Sequence, residues 1–250
     1  MTGGARRIGA EIARALAADG WHLLLHCNRS RAEADALAAE LGNAQVIEAE
    51  LADPDAADRI FAALDGLPPV RLLVNNASRF AYDDADNFTV EDWDLNHAIN
   101  LRAPALLSQA FAKAATGGGL IVNLLDAKLS HPNPDFFSYT ISKMGLAGLT
   151  ELTARAFAAR GIRVCGIAPS VTLVSGPQSR ANFEEVHGLN ALGRGVDVAE
   201  IVAALRFVLA TPTFTGQTIT LDGGQRFLGL ARDVQFLSPS GDGQFLEPNS

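Results

Sequence analysis

Apolar and polar positions along this chain switch between two periods. Short apolar runs of strand length alternate with stretches in which apolar residues recur every three or four positions, the spacing of a helix with one buried face. Ile8, Ile12 and Leu16 mark a first helix that Gly20 stops, and Trp21 to His26 reads as a strand. Residues 31–41 form an alanine-rich helix ended by Gly42, and Val46-Ile47 mark the next strand. Asp53-Pro54 predicts a helix start, with aspartate as cap and proline at the first helical position. Arg71 to Val74 is a strand running into Asn75-Asn76-Ala77-Ser78, and Thr89 caps a long helix over 90–115. Leu120 to Leu125 is a buried strand, a helix carrying Tyr139 and Lys143 runs to about 159, and Ile162 to Ile167 is a strand again. Residues 169–195 show little periodicity and read as a mobile lid. A helix over 197–209, a strand over 217–221 and Asp222-Gly223-Gly224 close the pattern. This alternation predicts a Rossmann-type α/β fold, a doubly wound parallel sheet with helices on both faces. Residues 1–227 make one domain, and 228–250 read as a tail whose Phe236, Leu237, Phe245 and Leu246 either dock on a neighbouring subunit or stay disordered.

In such a fold an apolar strand precedes the first glycine turn. Here Met1 directly precedes Thr2-Gly3, so the first strand is expected to be truncated. Its place is the sheet centre, where its loss exposes the ladders of two neighbours. A start assigned too far downstream accounts for this, as does a degenerate, non-catalytic protein.

Composition narrows the field. With 250 residues, 48% hydrophobic and 19% charged, the chain can bury a large core. A net charge of −8 argues against nucleic acid or an anionic membrane as partner. No apolar run approaches the roughly 18 residues of a membrane span. The start, Met1-Thr2-Gly3-Gly4-Ala5-Arg6-Arg7, lacks the apolar core of a secretory signal. Cys27 and Cys165 give no disulfide framework, which suits reduced thiols in the cytoplasm. The five histidines have no metal-ligand spacing, and no metal is expected.

Two groups of residues carry chemistry. Thr2-Gly3-Gly4-Ala5-Arg6-Arg7-Ile8-Gly9 opens the first helix, where glycines admit a pyrophosphate and the helix N-terminus attracts its charge. An NAD-selective site wants an acid near the end of the second strand, about twenty residues on. This chain has His26-Cys27-Asn28-Arg29-Ser30 instead, and a guanidinium and a hydroxyl suit a 2′-phosphate. Arg7 could reach the same phosphate, so NADPH is the expected cofactor. The second group is Tyr139 and Lys143, four residues apart and so on one helix face, with Asp126 thirteen residues upstream. An ammonium beside a phenol favours the phenolate, and the expectation is that Lys143 lowers the Tyr139 pKa toward neutrality.

In this order the motifs resemble the short-chain dehydrogenase/reductase family over about residues 2–225. Asn75-Asn76-Ala77-Ser78 is similar to that family's Asn-Asn-Ala-Gly segment, and Ile167-Ala168-Pro169-Ser170 to its Pro-Gly segment around the nicotinamide. The resemblance implies that Asn100 is linked to the catalytic Lys143 through water. It implies cofactor contacts from Gly3, Arg7, Ile8, His26, Asn28, Arg29, Ser30, Glu50, Leu51, Asn76, Ala77, Ser78, Lys143, Pro169, Ser170 and Thr172. Glu50 stands where an aspartate is usual and Cys165 where an asparagine is common. Asp126 replaces the family's catalytic serine and Arg7 its second turn glycine. With the His26–Ser30 segment, these departures are similar to the pteridine reductase and dihydromonapterin reductase subgroup, and Phe80 matches the aromatic that stacks on the pterin there. The implied activity is NADPH-dependent reduction of a dihydropterin, with dihydrofolate as a possible further substrate. Asp126, Tyr139, Lys143 and Asn100 would be catalytic, and Phe80, Ser78, Asp126 and Tyr139 would meet the substrate. The resemblance also implies a homotetramer packed through helices 90–115 and 139–159. A general carbonyl reductase acting on a ketone is the alternative.

Overall fold

In a computed structural model of the chain, which describes residues 1–174 and 178–237, the apolar strands lie parallel in two sheets. β1 (Leu23–Cys27) pairs with β2 (Ala44–Glu48), from Leu23 opposite Ala44 to Cys27 opposite Glu48. β3 (Leu72–Asn75), β4 (Gly119–Leu124), β5 (Ile162–Pro169) and β6 (Thr218–Leu221) form the second sheet in that order. Between the sheets runs the start of the chain. The His26 amide donates to the Met1 carbonyl at 2.9 Å, the Gly4 amide to the His26 carbonyl at 3.0 Å, and the Thr2 amide to the Val74 carbonyl at 2.9 Å. Residues 1–4 thus bridge the two sheets at one end.

Among the described residues, eight helices flank the strands: α1 (Arg7–Ala18), α2 (Arg31–Leu41), α3 (Ala56–Ala62), α4 (Val90–His97), α5 (Ala103–Ala114), α6 (Phe137–Phe157), α7 (Arg180–Val186) and α8 (Val198–Ala210). The periodic residues do what their spacing predicts. Ile12 and Leu16 of α1 and Ile201 and Leu205 of α8 cover one face of the strands together with Leu25 and Val122. Leu107 and Phe111 of α5 cover the other with Ile60, Ile121 and Val164. Each such side chain, fully buried, stabilises the fold by roughly 1.5–3 kcal/mol.

The structure corrects four sequence expectations. Asp53-Pro54 does not start α3: the Asp53 carbonyl closes a turn on the Ala56 amide at 3.2 Å, its carboxylate pairs with Arg59 at 2.8 Å, and Asp55 takes the cap position. Residues 90–115 are not one α-helix, because a π-turn over Ala98–Arg102 separates α4 from α5. Pro104 lacks the amide that would bond the carbonyl of Asn100, so the ladder must slip there. The stretch 169–195 contains α7, whose cap Ser179 accepts from the Asn182 amide at 3.1 Å. The tail does not begin at 228: Val234 is buried, and Phe236 packs on Tyr82 and Phe136 of its own chain. Phe245 and Leu246 lie outside the described residues.

Candidate active site

The carboxyl ends of the parallel strands open on one cleft of about 850 Å³. In open α/β sheets that is where ligands bind. Every residue expected to touch cofactor or substrate lines it. Asn100 does not; it stands behind the wall.

The glycine turn forms the cofactor half. Gly3 has φ +61°, and a Cβ on Gly9 would stand 2.0 Å from the Gly3 carbonyl oxygen. The turn can therefore close only with glycine at both positions. The Asn76 amide donates to the Thr2 and Gly3 carbonyls at 3.0 and 2.9 Å, which ties the turn to the end of β3. Arg6, at the cap of α1, offers no side-chain bond to the first turn. That end of the helix keeps its positive character toward the cleft. Arg7 adopts φ +55° and reaches across the cleft to the Val174 carbonyl at 2.6 Å.

His26 lines the cleft with its ring buried and both ring nitrogens used. The Gly3 amide donates to Nδ1 at 3.3 Å, so Nε2 carries the proton and donates to the Ala49 carbonyl at 2.9 Å. Burial holds its pKa down to about 4. His26 braces the glycine turn from behind. Beside it, Asn28 donates to the Glu50 carboxylate at 2.7 Å, and Glu50 also accepts from the Ala52 amide at 3.1 Å. Arg29 and Ser30 face the cleft, and the Ser30 hydroxyl makes no capping bond although it sits at the cap of α2.

The reacting half is built where β4 meets α6. The Tyr139 hydroxyl donates to Asp126 Oδ2 at 2.7 Å, while Asp126 Oδ1 accepts from the Lys128 amide at 2.8 Å. Lys143, one turn along α6, donates to the Leu124 carbonyl at 2.7 Å. Burial brings the Lys143 pKa down to about 8. The expectation that Lys143 lowers the phenol pKa is overturned. Burial, then the charge of Asp126 and the bond to it, push Tyr139 well above its ordinary value. The phenol keeps its proton and shares it with the carboxylate.

Around these groups sit Phe80 and Asn100. Phe80 stacks on Phe136 with centroids 4.1 Å apart and meets Tyr139 edgewise at 4.8 Å, so one of its faces is already covered. Asn100, in the π-turn, accepts from the Arg79 amide at 2.8 Å, donates to the Arg79 carbonyl at 3.0 Å and to the Ser142 hydroxyl at 3.0 Å. It fixes the Arg79 backbone ahead of Phe80 and makes no direct bond to Lys143. Ser78 spends its hydroxyl on Asn100 at 3.1 Å, and Thr172 on the Ser170 carbonyl at 2.9 Å. Lys128, Arg232, Asp233 and Gln235 also line the cleft. Periodicity does not reveal the last three, because a charged turn in an apparent tail has no repeat to place it. Lys128 could have been suspected from its place two residues after Asp126.

This arrangement of fold and site is that of a dinucleotide-dependent oxidoreductase. A family model described as enoyl-(acyl carrier protein) reductase matches residues 3–226. The chain belongs to the short-chain dehydrogenase/reductase family. The 3-oxoacyl-[acyl-carrier-protein] reductase of a Synechocystis strain is 30% identical over 234 residues, covering 90% of this chain and 94% of that protein. Pteridine reductase 1 of Leishmania tarentolae is 30% identical over the same shares of the two chains. Among solved structures, FolM alternative dihydrofolate reductase 1 of Brucella canis, complexed with NADP, is 40% identical with a TM-score of 0.86, covering 90% of this chain and 92% of that one. The Brucella suis protein of the same name, also with NADP, is 40% identical with a TM-score of 0.87, covering 90% and 93%.

Proposed function

We propose that this protein is an NADPH-dependent reductase of dihydropterins, with dihydrofolate as a further substrate. The observation that carries the reading is the 2.7 Å bond from the Tyr139 hydroxyl to Asp126. A serine at that position could orient a carbonyl, whereas a carboxylate can pass a proton to a ring nitrogen and accept a bond from a heterocycle edge. The FolM structures and the pteridine reductase relative support it.

The residues fit the cofactor. The Gly3–Gly9 approach, where no Cβ has room, leaves backbone amides at the helix end for a pyrophosphate. Glu50, beside Asn28, is held by Asn28 and the Ala52 amide, and Arg29 and Ser30 face the cleft where a 2′-phosphate would sit. Lys143 would bind the nicotinamide ribose. Pro169 and Ser170, at the end of β5, would wall the nicotinamide. NADPH, when bound, would supply the hydride that reduces the C=N bond.

The chain's own groups then supply the proton. Tyr139 holds it on Oη against Asp126 Oδ2 and gives it to the ring nitrogen, and a proton taken up from water through the Asp126 carboxylate then returns to the phenolate. The Lys128 amide on Oδ1 keeps the carboxylate turned toward Tyr139. Phe80 presents its uncovered face to the flat ring. Asn100 acts through the Arg79 backbone. The family resemblance adds a homotetramer, in which packing along α6 would cover the exposed Met144 and Leu152. The buried, free Cys27 and Cys165 suit a cytoplasmic protein. Among the described residues, no helix is long and apolar enough to cross a membrane.

General carbonyl reduction is the second reading, because relatives at 30–35% identity include L-xylulose reductase of Mesocricetus auratus and galactitol 2-dehydrogenase of Cereibacter sphaeroides. Steady-state NADPH oxidation with dihydrobiopterin, dihydromonapterin, dihydrofolate and one simple ketone separates the two. Turnover on a dihydropterin supports the proposal; turnover on the ketone alone replaces it with the second reading.

A further inference from the structure

The substrate end of the cleft is closed by residues that belong to neither the glycine turn nor the Tyr139 group. Residues 229–237 fold back over the start of α6. Arg232 forks onto both oxygens of Asp135 at 2.9 Å, and the Asp233 amide donates to Asp135 at 2.6 Å. Asp135 is only 2% exposed, so its charge is neutralised where it anchors the segment. Phe236 lies 5.1 Å from the ring of Tyr82 and 6.0 Å from that of Phe136. The segment is therefore held at fixed points on both sides of Asp233.

What it delivers is a carboxylate and an ammonium side by side. Asp233 Oδ1 accepts from the Gln235 amide at 3.2 Å, which fixes its rotamer. Oδ2 accepts from Lys128 Nζ at 3.5 Å. Lys128 Nζ spends a shorter bond on the Asp135 carbonyl and keeps further donors. Both side chains are largely withdrawn from solvent and both line the cleft. The pair faces the cavity that holds Asp126 and Tyr139. Asp126 is engaged by Tyr139 and the Lys128 amide, and Asp135 by Arg232, so of these three carboxylates Asp233 keeps bonding capacity toward the cleft.

We propose that Lys128 and Asp233 form the specificity pair of this enzyme and read a carbonyl–N–H–amino edge of the substrate. Lys128 donates to the ring carbonyl, and Asp233 accepts from the adjacent ring N–H and exocyclic amino group. The 2-amino-4-oxo edge of a pterin carries that pattern, and a simple ketone or sugar carries none of it. The inference rests on the dihydropterin reading and refines it: Asp126 and Tyr139 act at the reducible C=N bond, and Lys128 and Asp233 at the opposite edge of the ring.

The test compares a 6-substituted 7,8-dihydropterin with the matching 7,8-dihydrolumazine, in which an oxo group replaces the 2-amino group. Steady-state kinetics with NADPH are run on the wild type, Asp233→Asn and Asp233→Glu, with NADPH affinity and melting temperature measured alongside. Asn can still cap the Gln235 amide, so the fold is kept. The wild type is expected to favour the dihydropterin by about 10- to 100-fold in kcat/KM, the usual worth of a charge-assisted hydrogen bond. Asp233→Asn should raise KM for the dihydropterin and bring that ratio close to one, with kcat and NADPH affinity nearly unchanged. Asp233→Glu should restore part of the preference. A wild type that uses the two pteridines equally overturns the inference even if the variants fail to fold, and so does a folded Asp233→Asn that keeps the wild-type ratio. A wild type that reduces neither pteridine overturns the dihydropterin reading and this inference with it.

Discussion

Asp83→Ala is expected to destabilise the protein and damage the site together, because Asp83 caps the helix that carries Tyr139 and Lys143. α6 starts after Phe136, which is left-handed at φ +51° and provides no side-chain cap. The cap comes instead from a residue 55 positions earlier. The Asp83 carbonyl accepts from the Phe137 amide at 3.1 Å, and its carboxylate accepts from the Ser138 amide at 3.0 Å and from the Ser138 hydroxyl in a very short bond. Ser138 is fully buried and Asp83 is 5% exposed, so alanine would leave two donors without a partner and out of reach of water. Losing an N-cap costs about 1 kcal/mol, and each stranded buried donor about 1–3 kcal/mol. Partial relaxation brings the total to roughly 3 kcal/mol, or about 6–12 °C in Tm for a chain of this size. Asp83→Asn keeps one acceptor and should lose about 1 kcal/mol through the missing charge at the helix end. Thermal and urea unfolding give the stability, and a double-mutant cycle with Ser138→Ala should show strong coupling. Melting of Asp83→Ala within about 1 °C of wild type would refute the capping argument.

Arg29→Ala should weaken NADPH binding by about 10- to 100-fold and leave NADH binding nearly unchanged, measured by cofactor fluorescence; equal losses would remove the 2′-phosphate assignment. Gly9→Ala should abolish NADPH binding and lower stability by about 1–3 kcal/mol, because its Cβ meets a backbone oxygen that cannot swing aside; a variant that titrates normally would show that the turn is looser than its geometry. Lys143 loses its charge above about pH 8, so kcat/KM should fall on the alkaline side from there, and a flat profile to pH 10 would contradict its role as an ammonium. His26 has a folded pKa of about 4 against 6.5 unfolded, so the native state binds fewer protons between those values. Stability is then lost as pH falls from 6.5 toward 4, by at most about 3 kcal/mol, and His26→Gln should flatten that part of the curve measured by urea unfolding.

Much of this site was legible in the chain because its chemistry depends on local spacing. Tyr139 and Lys143 lie one turn apart on a helix, and the glycine turn abuts the helix it opens. What escaped detection depends on contacts between distant residues. Asp83 caps α6 across 55 positions, and Arg232 meets Asp135 across 97. Neither contact leaves a period or a motif. The π-turn at Asn100 had a local cause in Pro104, but a continuous apolar pattern through 90–115 masked it. The pKa of Tyr139 was misjudged for a related reason. Spacing showed a cation four residues away, but not that it is turned to the Leu124 carbonyl while an anion takes the hydroxyl.

The account stands most directly on Asp126→Asn. Asparagine keeps the size and a hydrogen-bonding head but cannot carry a proton between Tyr139 and a ring nitrogen. NADPH affinity, followed by fluorescence, should change by less than about twofold, because Asp126 lies on the substrate side of Tyr139. Steady-state NADPH oxidation with a dihydropterin should fall by roughly a hundred- to ten-thousandfold, the range for losing a positioned proton relay. Full dihydropterin turnover by Asp126→Asn would contradict the proton path and remove the main reason for setting this protein among pterin reductases.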